Sequence, residues 1–229
     1  MKTNYWTVLE SSKVLLVPYR REHVERYHDF MKDPYLLEMT GSEPLTFEEE
    51  IEMQQTWRDD DDKCTFILLR NENLEETLID SFGQAFPDDS RNQEGIPKLS
   101  SSFIGKNIPA MIGDANLFFH KHEEDEEIKC AELDIMIADN LSRRKGFGRQ
   151  AVAALMIYAY HKLEVRRFYV KIKSNNNASR KLFESMEFVE RSFIECFEEY
   201  ELDYLVDNES LLILEAYTDR QLAVYYLEN

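Results

Sequence analysis

Four cations and two glycines stand together in Arg143-Arg144-Lys145-Gly146-Phe147-Gly148-Arg149, between an apolar strand-like run and a long helical period. They do so in a chain of 229 residues with 27 Lys and Arg against 45 Asp and Glu, a formal net charge of −18. A surface of that sign repels nucleic acid and anionic membrane, because binding either rests on cationic contacts, so neither is expected as a partner. A concentrated basic loop in such a chain marks a place for an anion. Glycine permits positive φ and close approach. A helix N-terminus offers unpaired N–H groups and the positive end of the dipole. Together they form a nest for phosphate or pyrophosphate, and the seven residues 143–149 are its predicted lining. The competing reading is a solvated basic turn.

The rest of the chain reads as strands and helices around that loop. Residues 13–17 read as a first strand stopped by Pro18, and 20–32 follow as a helix ended by Asp33-Pro34. Thr46-x-x-Glu49 is a capping box opening a helix that runs to about Arg58. Strands are expected at 64–70, 111–120 and 129–138. In the last, Leu133, Ile135 and Ile137 point one way, and Glu132, Asp134 and Met136 the other. A helix over 148–164, a strand over 167–173, a short helix capped by Asn176 or Asn177, and a hairpin within 188–206 complete the pattern. This arrangement implies an α/β fold of the α+β kind, a mixed sheet with helices on both faces. One domain over 1–207 is expected, with a polar insertion at about 71–108 and a C-terminal helix or tail at 208–229.

Several classes drop out. No apolar run reaches the roughly 18 residues of a membrane span, and residues 1–6 lack the apolar stretch of a signal peptide. Cys64, Cys130 and Cys196 have no C-x-x-C spacing and read as three reduced, buried thiols of a cytoplasmic protein. His120-x-His122 offers two ligands on a polar turn and no further partners, so no metal site is expected. G-x-x-x-x-G-K-[ST] is absent. Gly146-x-Gly148-x-x-Ala151 matches a dinucleotide fingerprint by letter, yet residues 139–145 separate it from its strand, and Lys171 and Lys173 stand where an acid for the ribose belongs.

Arg143, Gly146 and Gly148 fall on the R-x-x-G-x-G pattern of the GNAT acetyltransferases, which the chain resembles. Asn176-Asn177-Ala178-Ser179 with Leu182-Phe183-Glu184 is similar to that family's N-x-x-S…L-Y-E segment. The resemblance implies a GNAT-like acyl-CoA N-acyltransferase fold with a sheet that splays open, acetyl-CoA bound in the gap, and backbone amides of Ile135, Met136 and Ile137 on its thioester and pantetheine, with Asn176 nearby. Ser42-Glu43-Pro44-Leu45-Thr46, Asp62-Lys63-Cys64-Thr65-Phe66-Ile67 and Gly113-Asp114-Ala115-Asn116-Leu117-Phe118 resemble a narrower family, the eukaryotic N-acetyltransferase 9-like proteins. That resemblance spans about residues 13–206 and implies acetylation of protein N-terminal α-amino groups, with tubulin as a suggested acceptor. The alternative is a non-catalytic GNAT-fold protein associated with the cytoskeleton.

Acetyl transfer needs a deprotonated amine and a polarised thioester carbonyl. Glu132 and Asp134 share a strand face beside the expected thioester and are base candidates, Glu132 preferred; the competing reading is an outward acidic stripe. Glu43 is a third, between the first two helices, where its competing role is turn chemistry. The family's tyrosine acid is replaced by Phe183, so that step does not carry over.

Overall fold

The computed structural model describes residues 1–75, 98–100, 102–119 and 128–227. His120, His122 and the acidic run at 123–127 lie outside them, as does most of the polar insertion. The strands are β1 (Thr7–Glu10), β2 (Val14–Pro18), β3 (Lys63–Arg70), β4 (Lys98–Leu99), β5 (Met111–Phe118), β6 (Cys130–Ile137), β7 (Arg167–Lys173), β8 (Val189–Ile194), β9 (Glu199–Leu205) and β10 (Ala223–Leu227). The α-helices are α1 (Val24–Phe30), α2 (Pro34–Thr40), α3 (Phe47–Asp59), α4 (Phe103–Asn107), α5 (Phe147–Lys162), α6 (Asn177–Glu184) and α7 (Asn208–Tyr217).

The strands form one sheet in the order β4-β10-β1-β2-β3-β5-β6-β7-β9-β8. Among the described residues, only β6–β7 and β4–β10 pair in parallel. That pattern excludes the doubly wound parallel fold to which the dinucleotide fingerprint belongs. Each face carries its own core. Under α5, α6 and α7, the strand residues Phe66, Leu68, Leu117, Leu133 and Phe168 meet Phe183 of α6 and Leu214 of α7. Under α1 to α3, Ile67, Leu69, Met111 and Met136 meet Tyr27, Met31 and Leu36. Strands buried on both sides explain why β2 and β3 read as continuous apolar runs.

Four expectations need correction. The 20–32 helix is a 3-10 turn at Arg21–His23 followed by α1, and Asp33-Pro34 starts a second helix as well as ending the first. Asp33 accepts the Tyr35 N–H at 2.9 Å and Pro34 takes the first helical position, where its missing N–H costs nothing. The segment expected as a C-terminal helix or tail does begin as the helix α7, but it continues into β10, which pairs with β1 from Thr7↔Tyr226 to Glu10↔Ala223. The C-terminal part of the insertion is packed, with Leu99, Phe103 and Ile104 buried. Cys196 is exposed, unlike Cys64 and Cys130.

The C-terminal segment also braces the helix that follows the basic loop. Gln150, in the first turn of α5, accepts the Lys13 N–H at 2.9 Å and donates to Asp219 at 2.6 Å. Within the sheet, β5 and β6 approach so closely at Gly113 that a Cβ there would lie 1.8 Å from the Met136 carbonyl oxygen. Gly105 in α4 has nothing within 4 Å of the same position. We therefore expect Gly113→Ala to lower the unfolding free energy by about 1–3 kcal/mol or more through overpacking against backbone. Gly105→Ala is expected to raise it by about 0.5–1 kcal/mol. Urea midpoints of the two variants check both; a stable Gly113→Ala protein contradicts the close approach.

Candidate active site

The strands β6 and β7 run side by side for only three residues, Cys130↔Arg167, Ala131↔Phe168 and Glu132↔Tyr169. Beyond them the strands part, and neither is fraying. β6 stays on β5 through Gly113↔Ile137, and β7 stays on β9 through Lys173↔Glu199. A gap therefore opens beside residues 133–137. Ala138 donates its N–H to the Ile112 carbonyl on β5 at 2.8 Å. Backbone direction alternates along a strand, so Met136 also faces β5, while Ile135 and Ile137 turn their N–H groups to the gap. Of the three predicted amides, that of Met136 points away, and the Met136 oxygen lies against Gly113.

At the end of the gap stands the basic loop. Gly146 is the N-cap of α5 with φ of 90°, a value that glycine tolerates, and no side chain caps the helix. The first-turn N–H groups of Phe147, Gly148 and Arg149 thus keep their donor capacity at the positive end of a 16-residue helix. A Cβ on Gly148 would meet Leu182 at 3.4 Å and Ile137 at 3.7 Å, so the glycine keeps this corner open. The predicted cations divide. Arg144 and Lys145 are exposed, and Lys13, which the sequence did not single out, reaches the Lys145 carbonyl at 3.4 Å. Arg143 is folded back, donating to the Ile137 and Ala138 carbonyls at 2.8 and 3.2 Å, and pins the end of β6. Arg149 donates to Ser185 at 2.8 Å and lies over the Tyr217 ring. Asn176 caps α6 through the Ser179 N–H at 3.1 Å.

On the α1–α3 side the sheet carries a cleft of about 180 Å³, lined by Tyr27, Met31, Thr40, Ser42 and Trp57 above, and Asp114, Asn116, Phe118, Asp134, Ile135 and Met136 below. The register Asn116↔Asp134 and Asp114↔Met136 puts these side chains on one face. Asp114 accepts from the Asn116 amide at 2.6 Å. Its other oxygen and the Asn116 side-chain oxygen are buried with no hydrogen-bond partner among the described residues. Burial pushes the Asp114 carboxyl up to about 7, against the pull of the Asn116 hydrogen bond. Asp134 is exposed at the cleft; desolvation first, then repulsion from Glu132, raise its carboxyl to about 6.

Of the three predicted base candidates, only Asp134 lines this cleft. Glu132 is held by Lys171 on β7 at 2.8 Å, and Glu43 is exposed outside the lining. Asp114 and Asn116 were not foreseen as site residues, although two polar residues of like parity inside an apolar strand were a visible signal. Phe183 is 2% exposed and packs edge-on against Phe188, deep in the other core. Among the described residues, no group of three His, Cys, Asp or Glu side chains is arranged to hold a metal ion.

An uncapped, glycine-bearing helix end beside a parted sheet, with a carboxylate cleft across it, is the arrangement of an acyltransferase. The family model described as an acetyltransferase (GNAT) domain matches residues 13–189. The chain belongs to the GNAT acetyltransferases. It is similar to alpha/beta-tubulin-N-acetyltransferase 9 of Drosophila melanogaster, 38% identical over 227 residues, covering 98% of this chain and all of the relative. The Homo sapiens protein of that name is 35% identical, covering 91% of this chain and 87% of the relative. An N-acetyltransferase 9-like protein of Dictyostelium discoideum is 37% identical, with coverage of 89% and 87%. Among solved structures, Vibrio cholerae spermidine N-acetyltransferase in complex with CoA and spermine aligns with a TM-score of 0.62 at 18% identity, over 88% of this chain and 99% of that one. Mycobacterium smegmatis RimJ in complex with CoA-disulfide aligns at 0.64 and 12%, over 98% of each. These two share the fold.

The buried carboxylate has a stability consequence. Asp114 titrates near 7 in the folded chain and near the ordinary 3.8 when unfolded. Its contribution to folding is complete below about 4 and is lost as pH rises through 7. Glu50, raised to about 7 by burial, acts in the same direction. Asp114→Asn should therefore be more stable than the unaltered protein at pH 8, by on the order of 2 kcal/mol, with the advantage shrinking toward pH 5. Urea unfolding at the two pH values measures it; a variant less stable at pH 8 contradicts the assignment.

Proposed function

We propose that this protein transfers acetyl from acetyl-CoA to the α-amino group of a protein N-terminus, in the cytoplasm and by direct transfer within a ternary complex, tubulin being an acceptor. The names of the relatives point to tubulin. The observation that carries the chemistry is the set of unfilled acceptors in the cleft: one Asp114 oxygen and the Asn116 oxygen, both buried, with the Asp134 carboxylate beside them. An ammonium group brings three donors and no acceptor, which is what such a set lacks.

The residues fit the donor. Acetyl-CoA supplies an activated acyl carbon on a thiol leaving group. The helix end at Gly146 to Arg149, with Arg144, Lys145 and Lys13, would hold its phosphates; the Ile135 and Ile137 amides would hold the pantetheine and the thioester oxygen. Asp134, with Asp114 behind it, takes the proton from the acceptor ammonium. The amine nitrogen then forms its bond to the acyl carbon as the carbon–sulfur bond breaks, and the second proton the nitrogen sheds goes to the departing thiolate. Magnitudes favour an α-amine. Its pKa of about 7.7–8.0 lies one or two units above the cleft carboxylates, a mismatch of about 1.4–2.7 kcal/mol, whereas a lysine near 10.4 stands about four units above. The leaving thiolate, near 8.5, needs no dedicated acid, consistent with the phenylalanine at 183.

Saturation with acetyl-CoA at one hundred times its Kd should raise the unfolding free energy by about 2.7 kcal/mol, and Gly148→Trp should abolish the shift. Mass spectrometry of peptides carrying tubulin N-termini should show acetylation of the free α-amine and none of internal lysines on N-terminally blocked peptides. Asp134→Asn should lower kcat/KM by about 10²–10⁴-fold. Efficient lysine acetylation, or an unchanged rate in Asp134→Asn, contradicts the proposal. If no peptide is acetylated while tubulin still binds the Gly148→Trp protein, the non-catalytic alternative stands instead.

A further inference from the structure

Lys63 stands beside the cleft, outside its lining, with its side chain against two residues that do line it, Trp57 from α3 and Phe118 from β5. Its Nζ lies 3.5 Å from the centroid of Trp57 and 4.5 Å from that of Phe118. Both rings line the cleft. The position follows from the sheet, where Lys63↔Phe118 are register partners on the face that carries Asn116 and Asp134. Two aromatic faces stabilise the cation without filling its hydrogen-bond donors. Among the described residues, the Lys63 ammonium makes no ion pair and no hydrogen bond, whereas those of Lys171 and Lys173 each pair with a glutamate. Burial lowers Lys63 to about 8, with Asp60, Asp134 and Asp114 opposing the shift, so it stays largely protonated near pH 7.

A cation here is a cost if the cleft serves only an incoming ammonium, since like charges repel. It is an asset if the acceptor also brings a carboxylate. We propose that Lys63 is a specificity-determining residue that selects acceptors with an acidic side chain at their second or third position. The inference rests on the α-amine reading above. The spacing agrees with it: Phe118 is two residues along β5 from Asn116, about 7 Å at the usual strand rise. An extended acceptor covers the same distance in about two residues. With its amine at Asp114 and Asp134, its second or third side chain reaches the Trp57–Phe118 end. Lysine rather than arginine suits the place, because a compact ammonium fits between two rings and keeps rotatable donors. The proposed acceptor is therefore bipolar at short range, an ammonium followed by a carboxylate, matching a cleft with carboxylates on its floor and a lysine beside its Trp57–Phe118 wall.

The test uses the full chain with acetyl-CoA and peptides identical except for Glu or Gln at positions two and three. Two readouts are taken: kcat/KM by mass spectrometry, and peptide binding to the CoA-loaded protein by calorimetry. The unaltered protein should prefer the Glu peptide by about tenfold, equivalent to about 1.4 kcal/mol. In Lys63→Met, which keeps the aliphatic stem between the rings, the ratio should fall to about one. Lys63→Arg should restore part of it, and Lys63→Glu should invert it. The ratio is internal to each variant, so a general loss of activity does not imitate the effect. Acetylation with a Glu-to-Gln ratio near one, or a ratio unchanged in Lys63→Met, overturns the selectivity and leaves the acetylation reading intact. Preferential binding of the Glu peptide without turnover supports Lys63 and overturns the acetylation reading. Peptides that neither bind nor react overturn both.

Discussion

The parting of β6 from β7 after Glu132 is the constraint on which the rest depends. A buried strand edge is costly, because its N–H and C=O groups are left without partners. This chain maintains one while both strands remain paired on their outer sides. Three contacts keep the opening in shape: Gly113 admits the Met136 carbonyl, Arg143 holds the last β6 carbonyls, and Gly148 leaves the corner by Leu182 and Ile137 free. The uncapped end of α5 then stands where the gap ends. The distant chain termini contribute as well, since Lys13 and Asp219 grip the same residue, Gln150, and so fix where that helix begins.

Opposite charges are separated by this geometry. Arg144, Lys145 and Lys13 gather at the helix end, while Asp114 and Asp134 sit across the sheet. The carboxylates are held in a state that disfavours their charge, and the chain loses stability as pH rises from about 4 to about 7 as a result. The same raised values bring them near the pKa of an α-amine, which a fully solvated aspartate would miss by about four units. Glu132, one alternation away, is neutralised by Lys171 and is unsuited to the task.

What could be read from the sequence was what local chemistry writes. The glycine-rich basic loop, the Thr46–Glu49 capping box, the long α5 and the alternation of β6 all show within a few residues. Asp33-Pro34 was ambiguous because aspartate then proline both stops one helix and caps another. The β1–β10 pair was invisible: short strands carry little period, and their partners lie more than two hundred residues apart. Alternation placed Glu132 and Asp134 on one face, but which of them is free depends on Lys171 of a neighbouring strand, a matter of register. The basic loop likewise could not say that Arg143 turns inward onto β6 and that Lys13, from the far end of the chain, takes a place beside it. Nor could it show that Asp114 and Asn116 would be left with unfilled oxygens, because that requires knowing what packs above them.

The central claim, that the gap between β6 and β7 receives the donor, has a direct test at single-residue resolution. Amide hydrogen exchange is measured by NMR with and without acetyl-CoA. The account predicts new protection at Ile135 and Ile137, whose N–H groups face the gap, and little change at Met136, which already faces β5. Unchanged exchange at Ile135 and Ile137 under saturating acetyl-CoA would contradict it.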